Sequence, residues 1–290
     1  MEYVITTDTT CDMSQDFLDK NGVEVLAMPY TVDGITYTGL GDDRLSPEEF
    51  YQKLRAGSMP QTAQVNPDQA ATLFETYLNK GISVLHIAFS SALSGSYQSA
   101  VIAAEDLNER YRDQDVKVVV VDSKCASMGE GLFVFYAVKL KQEGKSFEEV
   151  RKWLEDHKLN VCHNFTVNDL FHLHRGGRVS KTAAVFGSML GVKPVLHVDD
   201  EGRLIPIQKV RGRKQSLFML VDNMEKLVGS MKNETVFISH GDCLQDAELV
   251  ADEVKKRFGV KDIKIGFIGP VIGTHSGAGT VALFFLGEHR

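Results

Sequence analysis

Four consecutive valines and the polar pair after them, Val118-Val119-Val120-Val121-Asp122-Ser123, decide the fold class of this 290-residue chain. An unbroken β-branched run is typical of a strand that is buried on both faces of a parallel sheet. Closer to the N-terminus, Ile82–Phe89 is a second, mostly apolar run, and an amphipathic helix is predicted between the two, from Ser94 to about Tyr111. Strand, helix and strand in this order indicate a parallel sheet covered by helices.

The same alternation extends through the whole N-terminal half. Two of its helices have clear start signals, Ser46-Pro47 and Asn66-Pro67, because a capping residue stands directly before a proline. The other predicted elements are β-prone runs at Val4–Thr7, Val23–Met28 and Ile35–Thr38, and helices over Gly129–Glu143 and Ser146–His157. We therefore predict an α/β domain with a mostly parallel sheet over residues 1–160.

The C-terminal half has a different pattern. Two runs, Val192–Val198 and Arg203–Val210, flank Asp199-Asp200-Glu201-Gly202, which is a hairpin signal and implies antiparallel pairing. The other predicted elements are helices at Val167–His174, Thr182–Leu190, Gln215–Val228 and Gln245–Phe258, and strands at Thr235–Ser239, Ile263–Ile268 and Thr280–Leu286. We predict a second, α+β domain over residues 161–290.

Composition and charge exclude several classes of protein. Hydrophobic residues make up 43% of the chain and charged residues 24%, as in ordinary globular proteins, and the net charge of −7 argues against nucleic-acid binding. Ile265–Gly287 carries no acidic or basic side chain except His275, but Gly273–Gly277 interrupts it, which favours two buried strands around a glycine-rich loop over a membrane span. The start lacks the features of a signal peptide, and the four cysteines form no CxxC pair, so we expect free thiols in the cytoplasm.

A serine-rich loop is the first candidate site. Ser90-Ser91-Ala92-Leu93-Ser94-Gly95-Ser96 lies between a predicted buried strand and a helix, where open α/β sheets bind ligands. The N–H groups at the start of a helix suit a carboxylate or a phosphate, Ser94 or Ser96 could add a hydroxyl donor, and Gly95 permits close approach. The alternative is that Ser94 only caps the helix.

Three further motifs are candidates for the same kind of chemistry. Thr62-Ala63-Gln64 offers a hydroxyl and an amide in a polar loop, Arg175-Gly176-Gly177-Arg178 offers two guanidinium groups, and Gly273-Thr274-His275-Ser276-Gly277 offers backbone N–H groups with a histidine. Each motif also has a purely structural explanation. The threonine motif could be an ordinary loop, the two arginines could tie two parts of the chain together, and the glycine-rich segment could be a tight crossover between strands. The residues alone leave these alternatives open.

Other motifs of enzyme chemistry are missing from the sequence. There is no GxxxxGK[ST] loop, no GxSxG elbow, no HExxH and no plausible cluster of metal ligands. Asp8, Ser94 and His275 could form a triad, so a serine acyl hydrolase using Ser94 and His275 is one alternative function. A phosphate-ester-binding enzyme that uses the glycine-rich loops is the other.

Taken together, the motifs resemble one family. The sequence is similar to the DegV family of bacterial fatty-acid-binding proteins over essentially its whole length. The resemblance rests on five motifs in order, which are Thr7-Asp8-Thr9-Thr10-Cys11-Asp12, Thr62-Ala63-Gln64, Ser90-Ser91-Ala92-Leu93-Ser94-Gly95-Ser96-Tyr97-Gln98, Arg175-Gly176-Gly177-Arg178-Val179-Ser180 and Gly273-Thr274-His275-Ser276-Gly277-Ala278-Gly279. One departure is Ala63-Gln64-Val65, where the family usually has Ser-Gln-Pro, so a hydroxyl is lost at position 63.

The resemblance implies a two-domain carrier, not an enzyme, that holds one long-chain fatty acid between its domains and uses no cofactor. Its carboxylate would meet Thr62, Ser94 and the N–H of Gly95. Ser96, Arg175, Arg178 and His275 would surround the same site. The resemblance also implies that a separate dihydroxyacetone-kinase-like fatty acid kinase subunit makes the acyl phosphate for phospholipid synthesis, and it leaves room for transient contact with a membrane surface.

A basic cluster is the predicted docking surface for that kinase. Lys209-Val210-Arg211-Gly212-Arg213-Lys214 holds four positive side chains in six residues, and it joins a predicted strand to a helix. The charges alone favour a solvated turn. The resemblance favours docking through Arg211, Arg213 and Lys214, with all three projecting from one surface.

Overall fold

The computed structural model describes residues 2–168, 170–180 and 191–290, and the helix predicted over Thr182–Leu190 lies outside them. The fold is mixed α/β, as predicted. The strands are β1 Tyr3–Asp8, β2 Val23–Leu26, β3 Tyr30–Val32, β4 Ile35–Tyr37, β5 Gln61–Thr62, β6 Ser83–Ala88, β7 Val118–Asp122, β8 Val161–Thr166, β9 Val192–Val198, β10 Leu204–Arg211, β11 Thr235–His240, β12 Asp262–Phe267 and β13 Val281–Leu286. The described helices are α1 Gln15–Asn21, α2 Pro47–Arg55, α3 Pro67–Leu78, α4 Ser96–Arg110, α5 Met128–Gln142, α6 Phe147–His157, α7 Phe171–Arg175, α8 Arg213–Leu227, α9 Leu244–Phe258 and α10 Pro270–Ser276.

The valine run lies in a fully parallel sheet with strand order β2-β1-β6-β7. Helices cover both of its faces. Val4 and Val84 pack with α3 and α4 on one face, whereas Ile5 and Leu85 pack with α5 and α6 on the other. The sheet is buried on both faces for this reason, which confirms the prediction made from the apolar runs.

Helix starts agree with the predicted capping signals. Ser46 and Asn66 each accept a hydrogen bond from the third helical N–H and form a capping box, with proline at the first helical position. The helix predicted from Ser94 begins instead at Ser96, with Gly95 as its N-cap. Ser94 therefore lies outside the helix, and its Oγ contacts the Oγ of Ser96.

A mixed six-stranded sheet with order β10-β9-β8-β13-β11-β12 forms the C-terminal half. The predicted hairpin of β9 and β10 is present and antiparallel. The central strand β8 was not predicted from the sequence, and only the short α7 forms in the following segment, where a helix over Val167–His174 was expected. The reason is that β8 carries buried polar side chains, His163 and Asn164, which hide its strand character.

Two other elements differ from the prediction. A small antiparallel sheet, β4-β3-β5, pairs Tyr30 with Thr62 and so fixes the position of Thr62. The expected glycine-rich loop at Gly273–Gly277 is mostly the helix α10, which begins at Pro270 and ends at Ser276. No helix in the described part of the chain is long and apolar enough to span a membrane.

We propose residues 1–160 and 161–290 as the two domains. Every strand of the parallel sheet precedes residue 160, and every strand of the six-stranded sheet follows it. The two parts share one hydrophobic core, in which Ile5 and Leu132 lie in the same cluster as Phe165 and Phe237. The site described next is lined by residues of both parts.

Candidate functional site

A cavity of about 240 Å³ lies between the loops that follow β6 and β7 and residues of the six-stranded sheet and α10. Most of its walls are apolar. The apolar lining residues are Met28, Phe89, Leu93, Phe165, Leu173, Val198, Leu204, Ile268, Val271, Ile272, Ala282 and Phe284. A cavity with such walls suits an apolar ligand, since burial of apolar surface is favourable by about 25 cal/mol per Å².

Polar groups from four distant motifs meet in this cavity. Thr62, Ser94, Gly95, Arg178 and His275 all line it, so the structure brings together five of the seven ligand-binding residues proposed from the sequence. The other two, Ser96 and Arg175, are absent from the lining. Ser96 contacts Ser94, which lines it, and Arg175 donates to the carbonyl oxygen of Thr274, the neighbour of His275 in the chain.

The contacts of the serine loop permit one hydroxyl proton to point at a ligand. Ser96 Oγ accepts the N–H of Val65 at 3.1 Å and lies 2.9 Å from Ser94 Oγ. If Ser96 donates across that contact, Ser94 Oγ accepts both this hydrogen and the N–H of Ser96 at 3.2 Å. The proton of Ser94 then remains free to point into the cavity, beside the N–H of Gly95 at the helix start.

Thr62 is arranged in the same way by His275. The Oγ1 of Thr62 lies 2.8 Å from Nε2 of His275. Burial lowers the pKa of His275 to about 3, helped by the positive charges of Arg178 and Arg175, so the ring is neutral and carries one proton. With that proton on Nε2, His275 donates to Thr62 and leaves the threonine proton for a ligand. Two hydroxyl donors can thus meet one anionic head group.

Glycines allow the loops to approach each other closely. A Cβ atom at Gly176 would lie 2.2 Å from Nδ1 of His275, and a Cβ atom at Gly95 would lie 2.3 Å from Oε1 of Gln64. A side chain at Gly176 would displace the His275 ring, whereas one at Gly95 would displace only the end of the flexible Gln64 side chain. The glycine of the Arg175–Arg178 motif is therefore the one that packing at the site requires.

The two arginines hold the site together through carbonyl groups. Arg178 donates from Nε and Nη2 to the carbonyl oxygen of Leu93, at 3.1 Å each, and also to Gly176. Burial lowers the pKa of Arg178. Arg175 donates to the carbonyl oxygens of Pro60 at 3.5 Å and Thr274 at 3.3 Å. Both arginines therefore tie segments together, which was the structural alternative, while Arg178 also places a positive charge at the cavity.

The contacts do not form the triad considered from the sequence. His275 Nε2 faces Thr62, and Ser94 bonds with Ser96. The Nδ1 atom of His275 has no hydrogen-bond partner among the described residues. Asp8 lies elsewhere, fully buried, where it accepts the N–H of Phe89 at 2.8 Å. This geometry gives Ser94 no general base. Within the described ranges, no cluster of three or more histidine, cysteine or acidic side chains could hold a metal.

Several cavity residues were not proposed from the sequence. Ser127 and His163 line the cavity together with Ala126. His163 Nε2 accepts the N–H of Ala126 at 3.1 Å, and Ser127 Oγ donates to Asp12 at 2.6 Å. The segment of Ala126 and Ser127 follows β7, so the rule that ligands bind at the carboxyl ends of strands could have indicated it. His163 has no such signal because β8 itself was missed.

The basic cluster lies at the junction of β10 and α8, away from the cavity lining. Arg211 and Lys214 are exposed. Arg213 does not project as expected: it forms an ion pair with Asp246 at 2.9 Å and donates to the carbonyl oxygen of Gly279 at 2.6 Å. Arg213 is therefore occupied by contacts within the chain. Of the three residues proposed for docking, Arg211 and Lys214 are the ones whose side chains are exposed.

Comparison with known proteins agrees with this architecture. A family model described as "Uncharacterised protein, DegV family" matches residues 2–288. A DegV domain-containing protein of Clostridium perfringens is 46% identical over 289 residues, which cover 100% of this chain and 99% of that protein.

Two solved structures are similar over nearly the whole chain. A DegV family protein from Thermus thermophilus, described by its fatty acid binding, has a TM-score of 0.87 and 29% identity, covering 99% of this chain and 100% of that one. A stearic acid-binding protein from Eubacterium ventriosum has a TM-score of 0.85 and 26% identity, covering 99% and 98%. With the family model and the Clostridium relative both matching from end to end, the chain belongs to the DegV family.

Proposed function

We propose that this protein binds one long-chain fatty acid in the cavity lined by both parts of the chain. The observation that carries the proposal is an apolar cavity whose lining brings the hydroxyl groups of Thr62 and Ser94 together with Gly95. The fatty acid binding of the Thermus and Eubacterium proteins supports it. The carboxylate would accept hydrogen bonds from the two hydroxyl groups and the N–H of Gly95, with the charge of Arg178 nearby.

The acyl chain would supply most of the affinity. Each methylene buried against the apolar walls contributes about 0.8 kcal/mol, so a chain of many methylenes binds tightly even with few polar contacts. Hydrogen bonds to a charged acceptor contribute about 1.5–3 kcal/mol each and fix which end of the ligand lies at Ser94. A neutral ester of the same acid would lose the charge-assisted part of these bonds.

The finer part of the proposal concerns a partner. We infer that the protein acts in the cytoplasm and presents the carboxylate to a separate ATP-dependent fatty acid kinase subunit. The exposed Arg211 and Lys214 on a chain of net charge −7 support a docking surface of this kind. Transient contact with a membrane surface would supply the fatty acid, because free long-chain acids partition into lipid.

Binding is tested with delipidated protein. Oleic acid should raise the melting temperature, whereas methyl oleate at the same concentration should raise it far less. Ser94→Ala and Thr62→Val should each weaken oleic acid binding by about 1–3 kcal/mol in calorimetry, since each removes a donor to a charged acceptor. Ser91→Ala is the control, because Ser91 bonds with Asp122 outside the cavity lining. If no fatty acid stabilises the protein, or acid and ester bind equally, the proposal is wrong.

A further inference from the structure

The hairpin of β9 and β10 is a cavity wall with a short junction to the rest of its sheet. β10 is the edge strand, and β9 pairs with β8 only along Val195–His197, whereas it pairs with β10 along its full length. Val198 and Leu204 are register partners next to the turn, and both line the cavity. Movement of the hairpin would therefore open the cavity.

The tip of this hairpin, residues 199–202, is held by donors from outside its sheet. Ser90 Oγ donates to the carbonyl oxygen of Gly202 at 2.9 Å, and Arg290 donates to that of Asp199 at 3.0 Å. Lys124 Nζ lies 3.5 Å from the carbonyl oxygen of Glu201. Ser90 is completely buried, so loss of its hydrogen bond would leave a buried carbonyl without this donor.

The contact between Ser90 and the tip is close as well as polar. A Cβ atom at Gly202 would lie 2.2 Å from Ser90 Oγ and 3.3 Å from the Cα of Lys124. Gly202 also has φ +86°, in the region that favours glycine. The tip therefore fits against Ser90 only because position 202 has no side chain.

Ser90 also builds the loop that carries the carboxylate donor. Its carbonyl oxygen accepts the N–H groups of Leu93 at 3.0 Å and Ser94 at 3.3 Å, and its Oγ accepts the N–H of Ala92 at 3.3 Å. One buried residue thus organises the turn that presents Ser94 and holds the opposite wall of the cavity.

We propose that Ser90 and the hairpin tip form a latch that sets the rate at which the ligand leaves the cavity. With the latch closed, Val198 and Leu204 cover the ligand. When the bond between Ser90 and Gly202 breaks, the hairpin moves outward on its short junction with β8, and the ligand escapes. That the ligand is a fatty acid rests on the proposed function, whereas the movement of the hairpin does not.

The test compares Ser90→Ala with Ser91→Ala. Ser91 is the exposed neighbour in the same loop, and it bonds with Asp122 at 2.6 Å instead of the hairpin. The release rate of cis-parinaric acid into excess oleic acid is measured by fluorescence, and hydrogen exchange is measured over residues 199–211. Ser90→Ala should speed release about tenfold and speed exchange in the hairpin, since one buried hydrogen bond is lost. Ser91→Ala should change neither.

Unchanged release and unchanged hairpin exchange in Ser90→Ala would overturn the latch, and so would an equal effect of Ser91→Ala. General destabilisation would show as faster exchange in β1 and β6 as well. In that case a second variant, Arg290→Gln, must still speed hairpin exchange, or the latch is rejected. It removes the bond to Asp199 together with those to Lys124, Cys125 and Lys158, and Arg290 bonds with no residue of the serine loop. If the hairpin responds but the parent protein binds no fatty acid, the proposed function fails and the latch remains.

Discussion

At the scale of single residues, Gly176 and Gly177 stand side by side but serve different purposes. A Cβ atom at Gly176 would lie 2.2 Å from Nδ1 of His275, whereas one at Gly177 would meet no atom within 4 Å. Gly177 instead has φ +74°, which strains any other residue. The first glycine is required by packing against the site, and the second by its own backbone conformation.

We predict that alanine separates these two roles. Gly176→Ala should displace His275 from Thr62 and lower the affinity for oleic acid about fivefold, the equivalent of one hydrogen bond. Gly177→Ala should lower the free energy of unfolding by about 1 kcal/mol through strain and leave the affinity unchanged. Calorimetry and urea unfolding of both variants check this. Equal losses of affinity would show that His275 does not depend on the space at Gly176.

The sequence predicted which residue types belong to the site but not which atoms meet. Thr62 and His275 are 213 positions apart, and no periodicity or spacing reports a contact at that separation. The pairing of Ser94 with Ser96 is local, yet the capping alternative was equally consistent with the sequence. The resemblance to the family selected Thr62, Ser94 and His275 where the residues alone left alternatives open.

At the scale of elements, the predictions were right where local chemistry determines structure. Capping boxes and buried apolar runs need only neighbouring residues, so α2, α3, β6 and β7 were predicted from the sequence. The strand β8 and the helix α10 were missed because their polar and glycine residues are buried by tertiary packing that a short window does not contain. Pro270 at the first position of α10 was the overlooked signal.

The end of β1 and the start of α5 form a buried acidic cluster. Glu130 accepts hydrogen bonds from Thr7, at 2.8 Å, and Thr10, at 2.9 Å, and its neighbour Asp8 is fully buried. Burial raises the pKa of Asp8 to about 7, although the N–H of Phe89 works in the opposite direction. Burial, followed by the charge of Asp8, also raises the pKa of Glu130. Asp8 Oδ1 and His86 Nε2 lie 3.7 Å apart, and neither has a hydrogen-bond partner among the described residues.

This cluster predicts that stability falls as pH rises. The pKa of Asp8 is higher in the folded state than in the unfolded chain. Its stabilising contribution to the free energy of unfolding is therefore full below about pH 4, and it is lost as pH rises through 7. Asp8→Asn keeps an acceptor for Phe89 and cannot ionise, so it should be about 1–3 kcal/mol more stable than the parent protein at pH 8, with a smaller difference at pH 5. Urea unfolding at both pH values measures this, with the exposed Asp113→Asn as control. Parallel pH profiles for parent and Asp8→Asn would contradict the prediction.

At the scale of the whole molecule, the cavity exists because two differently built halves share a core. The parallel sheet supplies the serine loop at the carboxyl end of β6, and the six-stranded sheet supplies Phe165, Val198, Leu204, Ala282 and Phe284 of the apolar wall. Neither half encloses the cavity alone. The β9–β10 hairpin extends from the tip beside Ser90 to the basic cluster, so one element connects the proposed latch with the proposed docking surface.

That connection leads to a prediction about the partner. Arg211→Glu combined with Lys214→Glu should sharply reduce acyl-phosphate formation in a reconstituted assay with the kinase subunit and ATP, because these exposed charges lie at the proposed docking surface. Surface charges at a rim act chiefly on association rate, so added salt should slow the parent reaction more than that of the double variant. Affinity for oleic acid should stay at the parent value, since neither residue lines the cavity.

The matched control, Lys255→Glu with Lys256→Glu on α9, makes the same charge change elsewhere and should leave turnover intact. Equal turnover in both double variants would remove Arg211 and Lys214 from the docking surface, and a loss of oleic acid binding would assign them to the support of the hairpin instead.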